Sequence, residues 1–79
     1  MDYYYRLLEY SSGEYTYAYS RKNPGLDGRL SYNRRSGETK LLKLCQLDEE
    51  LPGAAQRAQD AFYKLVSAGL PTEMHVKTH

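Results

Sequence analysis

The tripeptide Ser-Gly-Glu occurs twice, at positions 12–14 and 36–38, each time inside a run in which bulky and polar residues alternate. Alternation with a period of two marks a strand with one buried face, and a Gly-bearing turn between two such runs marks a β-hairpin. This feature constrains the fold most, because a one-residue slip in pairing turns every side chain of a strand to the opposite face. In the first run, a three-residue loop of Ser11, Ser12 and Gly13 sets Tyr10 opposite Glu14, Leu7 opposite Tyr17 and Tyr5 opposite Tyr19, within a hairpin over 3–21. Tyr3, Tyr5, Leu7, Tyr15, Tyr17 and Tyr19 then share one face. Tyr4, Arg6, Leu8, Tyr10, Glu14, Thr16, Ala18 and Ser20 take the other, a smaller and more polar set suited to a solvated side. A two-residue loop mixes these sets and is set aside.

The second run yields a hairpin over 28–46 by the same reasoning. A loop of Arg35, Ser36 and Gly37 pairs Tyr32 with Lys40, Leu30 with Leu42 and Gly28 with Leu44, so Leu30, Tyr32, Leu42 and Leu44 face inward. Arg29, Ser31, Asn33, Thr39, Leu41, Lys43 and Cys45 then face outward. Asn23-Pro24-Gly25 and Asp27-Gly28 supply turn chemistry between the hairpins, so a four-stranded antiparallel meander is the simplest topology.

From Asp48 the period changes. Leu51, Ala55, Ala58, Phe62, Leu65 and Val66 recur at three- and four-residue spacing, which predicts an amphipathic helix over about 52–68. Asp48 is the expected N-cap, with Glu49 and Glu50 favouring the positive helix start, and Gly69 with Pro71 the stop. After Pro71, Met74 and Val76 alternate with polar residues, which fits a tail or a short fifth edge strand over 72–79. The expectation is a single α+β domain over 1–79, its core built from Tyr5, Leu7, Tyr17, Tyr19, Leu30, Leu42, Leu44, Ala55, Ala58, Phe62 and Leu65.

Size and composition bound the function. A chain of 79 residues buries only about 60% of its unfolded surface. Its apolar runs are too short for a membrane span. Lys plus Arg is 11 against 10 for Asp plus Glu, a balance that argues against a dedicated polyanion binder. One cysteine, Cys45, leaves no intrachain disulfide, and the absence of a signal-like start points to a cytoplasmic setting.

No residue set assembles into a catalytic or metal centre, so no enzyme and no cofactor are expected. Cys45 reads as a small semi-buried residue, because a reactive thiol needs a nearby positive charge and a cleft. His75 and His79 have helical metal-ligand spacing, but their segment reads as extended, where such a pair diverges. Asp48-Glu49-Glu50 lacks the alternating oxygen ligands of a calcium loop.

The outer sheet face holds most content: Tyr4, Arg6, Tyr10, Arg29, Arg35, Leu41 and Lys43, with Lys22 at its border. Exposed apolar groups such as Leu8 and Leu41 on such a face mark a protein interface, either with a partner or in a homodimer through this face or an edge strand. That reading, a small non-enzymatic binding or regulatory module, is the first expectation. The alternative is nucleic-acid binding, in which the cations contact phosphates and the tyrosines stack on bases. The layout of strands followed by an Ala-rich helix resembles the small DNA-reading domains of plant transcription factors and phage integrase arms, in which a three-stranded sheet enters the major groove. The resemblance covers topology alone, since this chain has no Trp and no matching pattern of base-contacting Arg, and it transfers no residue role.

Overall fold

Five strands form one antiparallel sheet: β1 (Asp2–Ser11), β2 (Glu14–Ser20), β3 (Gly28–Asn33), β4 (Thr39–Lys43) and β5 (Glu73–Lys77), in the order β4-β3-β2-β1-β5. A helix, α1 (Ala54–Ser67), packs on one face. The structure is a computed structural model that describes residues 2–21 and 25–77. The expected linker residues Asn23 and Pro24, as well as Lys22 and His79, lie outside the described residues. The fold is α+β: β1 to β4 form the expected meander, and the fifth strand is real, returning beside β1. Among the described residues, no helix is long and apolar enough to cross a membrane.

Tyrosine builds the core because its ring fills a pleated surface while its hydroxyl still finds a partner. Tyr3, Tyr5 and Tyr19 form a triangle with ring centroids 6.1–6.4 Å apart, and Phe62 of α1 meets Tyr5 at 5.7 Å and Tyr17 edge-on at 5.5 Å. The Tyr5 hydroxyl donates to the Ala58 carbonyl at 3.2 Å, and that of Tyr17 to the Pro71 carbonyl at 2.8 Å. The first bond ties the sheet to the helix and the second to the link between α1 and β5. Ala54, Ala58 and Ala61 are buried, so a lean helix face meets the bulky rings.

The helix begins later than expected. Gly53 takes the N-cap position with φ of 72° and no side-chain cap, and no acidic residue lies in the first turn. Asp48 is instead buried in a short 3₁₀ turn, Gln46–Asp48, and Ala55 is exposed where Ala54 is buried. The stop is as expected. Gly69, at φ of 93°, donates to the Val66 carbonyl and Leu70 to that of Leu65, a Schellman closure that needs a left-handed residue after the cap.

Register supplies the main corrections. The tip of the first hairpin is a two-residue turn after all, with Ser12 at φ 52° and Gly13 at φ 83°, so Ser11 pairs with Glu14 and Tyr10 with Tyr15. A bulge at Leu8 absorbs the one-residue offset and restores Leu7↔Tyr17 and Tyr5↔Tyr19. In the second hairpin the loop is one residue longer than expected. The Asn33 side-chain oxygen accepts from the N–H groups of Arg35 and Ser36, and the Asn33 N–H donates to the Glu38 carbonyl. Tyr32 thus pairs with Thr39 and Leu30 with Leu41. The slip turns Leu41 inward against the core and leaves Leu42 56% exposed. Leu44, past the end of β4, is half-buried, while Cys45, expected outside, is fully buried.

Candidate functional site

Of the residues expected on the outer face, the structure keeps Tyr4, Arg6, Arg29 and Lys43 together there. Arg35 lies in the β3–β4 loop, with its side chain alongside Gly13. Tyr10 and Leu41 move to the helix side through the two register changes.

The outer face is less basic than the sequence implied. Cross-strand pairing places Arg6, Arg29, Lys40, Lys43 and Lys77 on it together with Asp2, Glu9, Glu14 and Glu73. Arg6 is held by Glu73 at 3.3 Å. The guanidinium of Arg29 donates to the backbone carbonyls of Leu26 and Gly28, both at 2.8 Å, which fixes the loop before β3. His75 lies flat on Tyr4, ring centroids 4.4 Å apart and planes 7° from parallel, with its Nε2 3.1 Å from the Asp2 carboxylate. Tyr4, Arg6, Glu73 and His75, with Tyr5, Leu26 and Met74, line an open groove of about 270 Å³.

The helix side carries a feature the sequence reading missed. Tyr10, Tyr15, Tyr32 and Thr39 are successive cross-strand partners on β1, β2, β3 and β4, so they form one row across the sheet. Tyr10 and Tyr15 have ring centroids 4.5 Å apart, and Tyr15 and Tyr32 6.5 Å. The Thr39 hydroxyl reaches the Tyr63 hydroxyl of α1 at 3.4 Å, which carries the row onto the helix. Tyr10 is 52% and Tyr63 46% exposed, while Tyr15 and Tyr32 are half-buried. The turns beyond the row are tied together, because the Arg34 N–H donates to the Gly13 carbonyl at 2.8 Å. The row is thus wet, aromatic and mounted on paired strands. Tyr15 and Tyr32 were legible as inward-facing; Tyr10 was not, because only the Leu8 bulge puts it there.

A polar cluster is buried at the opposite end of the core. The Tyr19 hydroxyl donates to Asp48 Oδ2 at 3.2 Å and accepts the Cys45 N–H at 3.0 Å, and Arg21 lies 3.5 Å from Asp48 Oδ1. Burial, with the Asp48 charge behind it, pushes the Cys45 thiol up, so it is held in the unreactive protonated form. Among the described residues, no three His, Cys, Asp or Glu side chains gather in a metal-binding group. No protein-family model, curated protein or solved structure matches this chain.

Proposed function

We propose that this protein is a small non-enzymatic binding module that acts through protein contacts, with Tyr10, Tyr15, Tyr32 and Tyr63 as its docking surface. The observation that carries this reading is the row itself: aromatic rings spaced across three paired strands, continued through Thr39 to Tyr63 of the helix, and left accessible at both ends. Tyrosine suits the role because it offers a large contact area with few rotatable bonds, and its hydroxyl can donate to a partner's carbonyl groups. Aromatic residues are also enriched among those that dominate interface energetics.

The test compares the wild type with a Tyr10→Ser, Tyr63→Ser double variant as affinity baits in cell lysate, with captured proteins quantified by mass spectrometry. Both positions are exposed, so the fold should persist. A set of proteins retained by the wild type and lost by the variant is the expected result. Equal recovery by the two baits overturns this assignment of the surface.

Nucleic-acid binding remains the second reading. It is supported by the basic stripe of Arg29, Lys43 and Lys40, since Arg29 and Lys43 are direct cross-strand partners and Lys40 follows two rungs along, on the same face. It requires affinity for short DNA or RNA that falls as salt rises and drops in a Lys40→Glu, Lys43→Glu variant. Unchanged binding in that variant would sink it.

A further inference from the structure

We propose that the free edge of β5 pairs with the same edge of a second copy of this chain, antiparallel and centred on His75, so that two sheets continue into one. The proposal uses a different surface from the tyrosine row and stands or falls separately from it.

The sheet has two edges, and they are built differently. Unpaired strand edges invite pairing with other chains, and proteins blunt them with bulges and lysines. The β4 edge is blunted in both ways, by the bulge at Leu42 and by Lys40 and Lys43. The β5 edge is not. Glu73–Lys77 pairs with β1 in unbroken register, contains no Pro, and is the last strand on its side of the sheet.

The sequence of β5 is complementary to itself. Read antiparallel about His75, Glu73 stands opposite the partner's Lys77, Met74 opposite the partner's Val76, and His75 opposite the partner's His75. The faces agree as well. Glu73, His75 and Lys77 share the outer side with Asp2, Tyr4 and Arg6, while Met74 and Val76 share the helix side with Tyr5 and Tyr3. Opposite charges thus meet at each end of the outer side and apolar side chains meet on the other, the pairs that stabilise neighbouring strands. Each contact occurs twice about a two-fold axis, as a closed dimer requires.

Competing registers are poorer. A slip of one residue sets inward side chains against outward ones. A slip of two shortens the ladder and either opposes Lys77 to the partner's His75 or leaves it without a carboxylate. Glu73 already sits 3.3 Å from Arg6, so in the dimer it lies between that guanidinium and the partner's Lys77. Met74, only partly buried in one copy, gains cover from the partner's Val76.

The test is a charge swap read by sedimentation velocity over a concentration series. Wild-type protein should move from monomer to dimer as concentration rises, with the transition weakened by salt. Glu73→Lys opposes two lysines at each end of the pairing, and Lys77→Glu opposes two glutamates. Each variant alone should dimerise about tenfold or more weakly than the wild type. Mixed in equal amounts, the two variants should recover dimer, because every Lys then faces a Glu. Both substitutions are at exposed positions, and circular dichroism checks that each is folded; if one is not, the other alone still tests the like-charge penalty. Wild type that stays monomeric at every concentration overturns the proposal, as does wild-type dimerisation by either variant. A mixture that recovers no dimer overturns the register.

Discussion

Gly28 and Tyr19 are direct partners on β3 and β2, and a Cβ added at Gly28 would overlap the Tyr19 ring. That ring cannot step aside easily, since it is fully buried against Tyr3 and Tyr5 and its hydroxyl is engaged by Asp48 and Cys45. Gly28→Ala should therefore cost about 1 to 3 kcal/mol as an overpacked site, read as a lower urea midpoint with unchanged slope. An unmoved midpoint would show that the ring has room. The two arginine–carboxylate pairs make a contrast at the same scale. Arg6 and Glu73 are both more than half exposed, whereas the Asp48 side chain is 1% exposed beside Arg21. Arg6→Met should change stability by less than about 1 kcal/mol. Arg21→Met removes the cation beside a buried carboxylate that accepts from the Tyr19 hydroxyl and should cost about 3 kcal/mol. Equal losses in denaturant melts of the two variants would contradict this ranking.

At the scale of elements, Phe62 joins helix to sheet by touching both Tyr5 and Tyr17. Phe62→Ala should cost about 3 to 5 kcal/mol, with the loss in a thermal or urea melt as the check. The helix, its Gly69 stop and the inward Tyr3, Tyr5, Tyr15, Tyr17 and Tyr19 were legible because periodicity and turn residues report them directly. Strand register was legible only where the hydrophobic pattern outweighed the turn. In the first hairpin it fixed Leu7 opposite Tyr17 correctly even though the turn was misread, because the Leu8 bulge cancels the error. In the second, Leu41 and Leu42 are adjacent, so hydrophobicity cannot choose between them, and the Asn33 side chain decides by capping two loop N–H groups. The candidate site inherited these errors. Tyr10 and Leu41 were assigned to the wrong face, and Tyr63 joins the row through Thr39, a residue expected to face outward.

For the whole molecule, a core of phenols sets the response to alkali. Burial pushes the Tyr17 hydroxyl up to about 12 from the usual 10.0, and Tyr5 and Tyr19 are raised further, also chiefly by burial. Below the unfolded value every one of these groups is neutral in both states, so their contribution is intact. As pH rises past about 10 the unfolded chain loses protons that the native core retains, and stability falls. Native protein should therefore show a second, late rise in phenolate absorbance that coincides with loss of the circular dichroism signal between about pH 10 and 12. A late rise with the fold intact would mean that the rings ionise in place.

Asp2 and His75 touch although 73 positions separate them, because β5 returns to lie beside β1. During synthesis, β1 to β4 therefore emerge before the strand that flanks them and before the helix that covers their tyrosines. At about 5 to 20 residues per second, the stretch from Lys43 to Lys77 takes roughly 2 to 7 s to translate. For that interval the growing chain carries an unsealed edge and an uncovered aromatic face. The length of this exposure is set by the ribosome's pace rather than by how quickly the sheet can fold.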